Sequence, residues 1–396
     1  MTNVPTSDVL RQRLARLDSE GRLRSARQVE SLPNARCRID GRELVNFGAN
    51  DYLNLAHDSR VCDAFAGVAN RQVGSTASSL IVGRSKYHAQ LEDALARFEQ
   101  CEAALLFPTG FAANLGTIQA LAGRQDALFC DRDNHASLID AARGTKAHIH
   151  VYEHQHRDCL SRELRRQRSE FEQVFLVTDG VFSMDGCIAP LDELCALAEQ
   201  QSAAVIVDEA HGTGVLGEYG RGASEVTGVE SRTLVRVGTL SKALGGLGGF
   251  AVGSRDTIEW LRNTARPQFF STALPPAMCA AMLESLRIVQ DEPERRIILR
   301  NLNRHARDTA RSFNLDVLGN GPAPIIPIVI PEESDVVHVS NQLQEQGWFV
   351  PAIRPPTVPP GTCRLRMSVS VAHSEDEIKA LLEAIVGLVP RPSQGT

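Results

Sequence analysis

Seven short apolar stretches, each separated from the next by a helix-length or shorter segment, constrain the fold of this chain most. They cover residues 103–107, 127–130, 149–152, 174–178, 204–207, 234–237 and 250–252. Short runs rich in β-branched and apolar residues are typical of strands buried on both faces of a parallel sheet. The pattern predicts an α/β domain with a mainly parallel seven-stranded sheet and helices on both faces. Ligands of such sheets bind beyond the carboxyl ends of the strands.

Polar, glycine-rich or ionisable residues follow most of these stretches. They occupy positions 109–111, 133–135, 179–183, 208–211 and 239–242. Packing alone does not require such residues at so many strand ends. The recurrence predicts a single ligand site at this edge of the sheet.

Lys242 has the clearest chemical role in this set. It lies between an apolar strand and the glycine-rich segment 245–249, where glycines permit close backbone packing. A lysine amine is a useful nucleophile only when burial or a neighbouring cation lowers its pKa. We therefore predict a lysine that forms a Schiff base. For Lys242 taken alone, an ordinary exposed lysine is the alternative.

Two further strand ends favour one cofactor. A carboxylate at a buried position such as Asp208 requires a cation, and the protonated ring nitrogen of pyridoxal phosphate is one. Segment 109–114 places backbone N–H groups at the start of a helix, which suits a phosphate. A structural ion pair at Asp208 and a plain helix cap at Thr109 are the alternatives.

Composition excludes several classes of protein. The 396 residues carry a net charge of −6, and they contain no large basic run, so a nucleic-acid scaffold is not expected. No apolar tract is long enough to span a bilayer. The nine cysteines are never spaced C-x-x-C, which argues against a disulfide framework or a zinc site. The first residues lack the apolar core of a secretion signal, so we predict a cytoplasmic protein.

Two other patterns have alternative readings that we disfavour. Residues 212–217 match G-x-G-x-x-G, but the following residues are too rich in glycine for the helix that a dinucleotide site needs. A nicotinamide enzyme is therefore a distant alternative. His148, His150, His154 and His156 have no clear complement of further ligands, so we predict no metal site.

The remaining segments suggest three regions: an arm with a short β unit at 1–49, a large cofactor domain at 50–288 and a small α+β domain at 289–396. Ser7 can cap a helix that runs to about Glu20 and ends at Gly21. Ser374 and Glu377 form a capping-box pattern at the start of the last helix.

Six motifs in this order resemble the α-oxoamine synthases, which are pyridoxal-phosphate enzymes of fold type I. They are N-D-Y-L at 50–53, T-G-F-A-A-N at 109–114, N-H-A-S at 134–137, G-V-F-S-M-D-G at 180–186, D-E-A-H-G-T-G at 208–214 and T-L-S-K at 239–242. The resemblance runs from about residue 24 to residue 373. Within the family, residues 352–362 and 364–366 are similar to the corresponding segment of the synthases that join L-alanine to a pimeloyl thioester in biotin biosynthesis.

The resemblance implies roles for individual residues in holding pyridoxal phosphate. Lys242 would bind it covalently, Asp208 would pair with the ring nitrogen, His211 would bond the ring hydroxyl and His135 would stack on the ring. The phosphate would be held by Gly110, Phe111 and Thr239, with Ser183 as a further contact, and Ser271 and Thr272 would reach the phosphate of a partner subunit. A homodimer with shared active sites follows from that last contact.

The substrate contacts implied by the resemblance are fewer. Arg366 and Asn50 would receive the amino-acid carboxylate, while Thr357 and Arg24 would also contact substrate, Arg24 on the acyl side. The acyl carrier would be coenzyme A or a carrier protein.

Three departures from the family pattern leave alternatives open. Asp179 stands where glutamate is usual, Cys187 where an acidic residue is common, and the segment around Ala77 is poorer in glycine. A sister synthase that uses glycine or serine with another acyl-CoA is the nearest alternative. A partner subunit that binds the cofactor without catalysing a reaction is an alternative of another class.

Overall fold

The computed structural model describes residues 7–24, 26–154, 156–319 and 321–389. The chain begins with an arm in which a helix precedes a small antiparallel unit: α1 (Ser7–Ser19), β1 (Val29–Leu32), β2 (Arg36–Ile39) and β3 (Arg42–Asn46). Gly21 lies just beyond α1 with φ +64°, a conformation that glycine adopts without strain. The leucines of α1 at positions 10, 14 and 17 remain exposed.

The central sheet contains the seven predicted strands. They are β4 (Ala103–Phe107), β5 (Ala127–Asp131), β6 (His148–Tyr152), β7 (Val174–Asp179), β8 (Ala204–Asp208), β9 (Val235–Thr239) and β10 (Gly249–Gly253), in the order β4-β10-β9-β8-β7-β5-β6. The first six run parallel, whereas β10 is antiparallel to both of its neighbours. The segment 240–248 between β9 and β10 is too short for the crossover that a parallel connection needs.

Helices cover the sheet and connect its strands. They are α2 (Ser59–Ala69), α3 (Lys86–Phe98), α4 (Gly110–Leu121), α5 (Ala136–Arg143), α6 (Arg157–Gln167), α7 (Leu191–Gln200), α8 (Ala223–Val226), α9 (Arg255–Thr264), α10 (Arg266–Phe269) and α11 (Pro276–Asp291). A π-helical turn at Ser79–Gly83 precedes α3. No helix in the described ranges is both long and apolar enough to cross a membrane.

The C-terminal region packs helices on a second small sheet. Its elements are α12 (Glu294–Ser312), β11 (Ile325–Val329), α13 (Glu333–Glu345), β12 (Trp348–Phe349), β13 (Ala352–Ile353), β14 (Arg364–Ser368) and α14 (Glu375–Leu388). β11, β14 and β13 form an antiparallel sheet, while β12 pairs in parallel with β3 of the arm. The predicted capping box is present, with Glu377 N–H donating to Ser374 Oγ and Ser374 N–H donating to the Glu377 carboxylate.

The arm and the C-terminal region therefore share a four-stranded sheet, β1-β2-β3-β12. The apolar core is also continuous between the central sheet and the C-terminal region, since Leu106 and Leu176 belong to the same buried cluster as Ile326 and Leu381. The division at residues 49 and 288 stays a prediction.

Candidate active site

Two carboxylates and a lysine meet at the carboxyl edge of the central sheet. Asp179 ends β7 and Asp208 ends β8, and the two residues are direct partners in the parallel pairing of these strands. Lys242 follows β9, the next strand in the sheet. The strand order therefore brings Asp179, Asp208 and Lys242 to one edge of the sheet, although the sequence separates them by up to 63 positions.

Lys242 is half-buried and has no carboxylate within 4 Å among the described residues. Burial lowers its pKa to about 8, against the opposing attraction of Asp208 and Asp179, and the nearby Arg366 lowers it further. An ammonium that loses hydration without gaining a direct partner is destabilised relative to the free amine. About a tenth of Lys242 is therefore the free amine at pH 7, far more than for an exposed lysine.

The carboxylate of Asp208 is buried and is held by neutral donors. Asn114 Nδ2 donates to Asp208 Oδ2 at 2.6 Å, and the backbone N–H of Ala210 donates to Oδ1 at 2.8 Å. No Arg, Lys or His side chain forms an ion pair with Asp208 in the part of the chain that the structure describes. Such a carboxylate is suited to a cationic ligand group. Asn114 lay inside a predicted motif, but its contact with Asp208 was not predicted.

The beginning of α4 forms a site with free backbone donors. Thr109 Oγ1 accepts from Ala112 N–H at 3.0 Å, which leaves the amides of Gly110 and Phe111 without an acceptor among the described residues. A Cβ on Gly110 would lie 3.1 Å from Thr239 Oγ1, so glycine keeps the space between them open. Ser241 Oγ lies 2.8 Å from Thr239 Oγ1 and adds a hydroxyl that was not predicted. The donor set suits a phosphate.

His135 caps α5 beside these groups. Its Nδ1 lies 2.7 Å from Ser137 Oγ, and its backbone N–H donates to Asp179 Oδ2 at 2.7 Å. Burial lowers the pKa of the His135 imidazole, Asp208 opposes this shift and Lys242 reinforces it. Because the residue remains open to solvent, its ring can form one wall of the cleft.

The pKa of the Asp179 carboxyl is shifted by its surroundings in the cleft. Burial raises the pKa of its carboxyl well above the usual value, and the adjacent Asp208 raises it further, against the hydrogen bond from His135. Two neighbouring carboxylates at one strand edge do not ionise independently. Asp179 therefore holds a proton more readily than an exposed aspartate does.

A buried chain of hydrogen bonds connects His211 to Arg366. Tyr52 Oη lies 2.7 Å from His211 Nδ1 and donates to Asn50 Oδ1 at 3.1 Å, and Arg366 Nη1 donates to the same oxygen at 3.2 Å. Burial, Lys242 and then Arg366 hold the pKa of His211 well below its usual value, so its ring is neutral. Tyr52, which was not assigned from sequence, thus links two predicted parts of the site.

Arg366 is a buried cation without a direct anion. Its Nε donates to the Ser183 carbonyl at 2.7 Å and its Nη1 donates to Ser368 Oγ at 2.9 Å, but no carboxylate lies within 4 Å of it in the described ranges. Arg364, two residues earlier on the same strand, instead pairs with Asp185. Arg366 is therefore suited to bind a substrate carboxylate.

Two predicted substrate-contact residues, Arg24 and Thr357, lie together at an outer opening. Arg24 Nη2 donates to Thr357 Oγ1 at 3.4 Å, and both line a cleft of about 380 Å³. Thr357 also lines a larger cleft of about 720 Å³ whose walls include Asn134 and Phe182. The outer opening thus continues toward the residues that adjoin His135 and Ser183.

Ser271 and Thr272 lie away from these groups in the single chain. Thr272 pairs with Ser78 through the backbone, and the Ala273 N–H donates to Ala77 O at 3.0 Å. No hydrogen bond connects them to Lys242 or Asp208 within the described ranges. Their predicted contact with a partner subunit stays a prediction.

The disfavoured patterns have other roles in the fold. The loop at 212–217 continues into turns and a backbone bridge between Thr213 and Arg221, so it does not open a helix. His150 stacks on Phe129, while His154 Nδ1 bonds Asp131. Asp131, Asp133 and His154 could bring ligand atoms within 4.8 Å of one another, but His154 Nδ1 is engaged by Asp131.

The described residues fit pyridoxal phosphate. Gly110, Phe111 and Thr239 form the site for an anion, Asp208 is a carboxylate without a cation, and Lys242 is an amine without an anion. These groups match the phosphate, the ring nitrogen and the aldehyde of that cofactor.

Comparisons with known proteins agree with this fit. The aminotransferase class I and II family model matches residues 42–385. An 8-amino-7-oxononanoate synthase of Methylococcus capsulatus is 47% identical over 380 residues, covering 96% of this chain and 97% of its own. A serine palmitoyltransferase of Sphingomonas wittichii superposes with a TM-score of 0.90 at 32% identity, covering 97% and 98% of the two chains. A solved serine palmitoyltransferase with pyridoxal phosphate gives 0.89 at 29% identity over 96% of each chain.

Proposed function

Because the chain belongs to the class I and II aminotransferase family, among the relatives named 8-amino-7-oxononanoate synthase, we propose that it condenses L-alanine with a pimeloyl thioester at the cleft around Lys242. It is a pyridoxal-phosphate-dependent acyltransferase of biotin biosynthesis. The products are 8-amino-7-oxononanoate, carbon dioxide and the free thiol. The acyl carrier is coenzyme A or a carrier protein.

One observation carries the proposal. Lys242 is an amine with a pKa of about 8 and no anionic partner, and it lies at the same strand edge as Asp208, a buried carboxylate without a cationic partner. An isolated protein gains nothing from leaving both groups unpaired. Both are satisfied by one ligand that carries an aldehyde and a basic ring nitrogen.

The residues of the chain would divide the work as follows. When bound, pyridoxal phosphate supplies an electron sink for the carbanion that forms at the amino-acid Cα. Asp208 would keep the ring nitrogen protonated, while the neutral His211 would bond the ring hydroxyl and His135 would cover the ring. Gly110, Phe111, Thr239 and Ser183 would complete the contacts.

Lys242 would act as the base. Its Nζ, once free, accepts the Cα proton of alanine, since an amine with a pKa of about 8 is well matched to neutral pH. The carbanion then attacks the thioester carbonyl, the C–S bond breaks, and the leaving thiolate takes a proton from water to give the free thiol. Loss of carbon dioxide from the β-keto acid follows, and the Lys242 ammonium returns its proton to the carbon.

Arg366 and Asn50 would hold the alanine carboxylate during these steps. The N–H groups of Arg366 donate only to neutral oxygens. Asn50 Oδ1 is one of these, since it accepts from Arg366 Nη1. Arg24 and Thr357, at the outer cleft, would contact the acyl substrate. Residence in the cytoplasm stays a prediction from the sequence.

The reaction is tested directly with purified protein, L-alanine and pimeloyl-CoA, by following free thiol and carbon dioxide. Release of both supports the proposal. Turnover with glycine or serine but not alanine would identify a sister synthase. The similar serine palmitoyltransferase structures make that alternative worth testing. Bound cofactor without turnover on any of these amino acids would indicate a silent partner subunit.

The covalent contact is tested separately. Borohydride reduction of the holoenzyme followed by peptide mapping is expected to place the pyridoxyl group on Lys242. Lys379→Ala, at an exposed lysine of α14, serves as the control and keeps the label in place. A yellow absorbance band that persists in Lys242→Ala after dialysis would contradict the assignment.

We also propose a homodimer with shared active sites. Several apolar side chains near Thr272 are exposed in the single chain, among them Ile81 at 75%, Val82 at 76% and Phe270 at 67%. A second copy would cover them and would bring Ser271 and Thr272 to the partner's phosphate site.

The shared site is tested by mixing two inactive variants, Lys242→Ala and Thr272→Asp. Each mixed dimer then contains one intact site, so unfolding and refolding an equal mixture is expected to restore about a quarter of the wild-type activity. A mixture that stays inactive, although native mass spectrometry shows mixed dimers, would show that Thr272 does not act across the interface.

A further inference from the structure

A second group of ionisable side chains lies at the same sheet edge, outside the cleft. Asp131 ends β5, His154 follows β6 and Cys187 lies in the loop after β7. His154 Nδ1 lies 3.0 Å from Asp131 Oδ2, and His154 Nε2 lies 3.4 Å from Cys187 Sγ. The three groups form a relay of the kind that activates a thiol.

The imidazole in this relay carries a charge. Burial opposes protonation, but the hydrogen bonds to Asp131 and Cys187 raise the pKa of His154 to about 10. Both ring nitrogens are then protonated at neutral pH, so Nδ1–H donates to the carboxylate and Nε2–H donates to sulfur. Reactive thiols are typically found beside such a cationic N–H donor.

Other buried cysteines of the chain lack this arrangement. Burial raises the pKa of the Cys130 thiol to about 12 and that of Cys195 to about 11. Neither has a hydrogen bond to a basic side chain among the described residues. They are therefore matched controls that share the burial of Cys187 and lack its histidine.

The space near the relay is small. A void of about 10 Å³ is bounded by Asp131, His154 and Ala189, which is close to the minimum for one water molecule. Cys187 itself is 7% exposed. The void lies on the His154 side of the relay and Cys187 does not line it, so a reagent must reach Cys187 through its small exposed fraction, which favours one as small as a peroxide over a bulky electrophile.

We propose that Cys187 is a histidine-activated thiol and the site on this chain that a peroxide oxidises preferentially. The thiolate sulfur attacks one peroxide oxygen, so an S–O bond forms and the O–O bond breaks. Sulfur loses two electrons and the peroxide gains them. The leaving hydroxide takes the Nε2 proton of His154, which yields water, a sulfenic acid and a neutral imidazole.

The loop that carries Cys187 also reaches the cleft. Phe182 N–H donates to Cys187 O at 3.0 Å, and between them Ser183 O accepts from Arg366 Nε. An oxygen added to Cys187 would therefore lie under the loop that contacts Arg366. The proposal itself does not depend on the proposed function.

The charged and titratable groups around the relay come from several elements. Asp133 lies beside Asp131 and His154, and the void is also lined by Tyr152, His156 and Arg157. Arg157 pairs with Glu193, so its charge is compensated. Asp131 is therefore the anion bonded directly to His154.

The first experiment uses the wild-type holoenzyme. It is treated briefly with hydrogen peroxide at pH 6.5 and 8.5, quenched with catalase and unfolded in excess N-ethylmaleimide, and peptide mass spectrometry measures the unalkylated fraction of each cysteine. We expect Cys187, which has the His154 contact, to be oxidised faster at both pH values than the buried Cys130 and Cys195, which have no such contact among the described residues.

The second experiment compares His154→Gln and Asp131→Asn with the wild type. His154→Gln removes the imidazolium beside Cys187, and Asp131→Asn removes the carboxylate that stabilises that imidazolium. Each substitution is therefore expected to slow Cys187 oxidation at pH 6.5 by about tenfold or more. Oxidation of Cys62 serves as the internal control. If Cys187 reacts no faster than Cys195 in the wild type, the proposal is wrong, whether or not the variants fold.

Discussion

Lys242 and His154 lie at the same carboxyl edge of one sheet, yet their pKa values shift in opposite directions. The pKa of Lys242 falls from 10.5 to about 8, and that of His154 rises from 6.5 to about 10. At pH 9 the histidine is mainly charged and the lysine mainly neutral, which reverses the usual order of these side chains.

The difference comes from partners rather than from depth. Both side chains lose hydration, but His154 donates directly to Asp131, whereas Lys242 has no carboxylate within 4 Å in the described part of the chain. His154 therefore has its anionic partner within the chain, whereas Lys242 requires a ligand. A buried cation that lacks its anion is thus a sign of a binding site.

The largest effect is expected at the incomplete region. Lys242→Ala should reduce thiol release by at least about 1,000-fold, because both the covalent contact and the base are lost. Lys379→Ala, at an exposed lysine of α14, is expected to keep the wild-type rate. A Lys242→Ala rate within tenfold of the wild type would mean that the unpaired lysine does not mark the reaction centre.

The opposite pKa shifts should give opposite effects on the stability of the apoprotein. The folded-state pKa of Lys242 lies below its unfolded value, so its penalty is complete below pH 8 and is relieved as pH rises from 8 to 10.5. The folded-state pKa of His154 lies above its unfolded value, so its stabilisation is complete below pH 6.5 and is lost as pH rises to 10.

Lys242→Met should therefore raise Tm at pH 7. The gain in the free energy of unfolding is at most about 3 kcal/mol, and it should shrink toward pH 10.5. His154→Gln should lower Tm most at pH 6.5, with a difference that shrinks toward pH 10. Calorimetry across this range measures both. If the two variants change with pH in the same direction, the comparison fails.

A smaller effect is expected at the second unpaired cation. Arg366→Gln should raise the KM for alanine by about 30-fold or more, because a buried charge pair with the substrate is lost. Arg311→Gln, on the exposed surface of α12, is the control. Steady-state kinetics with alanine varied at saturating pimeloyl-CoA provide the measurement, and an unchanged KM would remove Arg366 from the carboxylate site.

The smallest effect is expected at the outer cleft, where Arg24 and Thr357 are exposed to solvent. Thr357→Val should raise the KM for pimeloyl-CoA by about two- to tenfold and leave the KM for alanine unchanged, since one solvent-exposed hydrogen bond is lost. Thr264→Val, on α9, serves as the control. A rise in the alanine KM instead would place Thr357 on the other side of the cleft.

Much of the fold could be predicted from local patterns. The observed strands β4, β5 and β7 begin at the predicted residues, and the capping box at Ser374 is present, because each depends on neighbouring side chains. The direction of β10 was not predicted separately, and the pairing of β3 with β12 joins residues about 300 positions apart. No local pattern carries that pairing.

The site shows the same division. Lys242, Asp208 and the start of α4 were predicted because each has the chemistry of its role, and motif order added His135, His211 and Arg366. Tyr52 and Asn114 lay within the quoted motifs, yet their contacts with His211 and Asp208 were not predicted. The relay of Asp131, His154 and Cys187 had two separate sequence signals, the histidine pattern at 148–156 and the unusual cysteine, and neither one predicted the contact between them.

The sequence by itself determined which groups can react: an amine, carboxylates, imidazoles and free amides at the ends of strands. The tertiary structure decided which of them have partners. Strand order places Asp179 beside Asp208 and His154 beside Asp131, and burial then acts on each group according to what lies within a few ångströms. Lys242 is reactive and His154 is charged because hydration and distance, which the chain order does not specify, control their protonation.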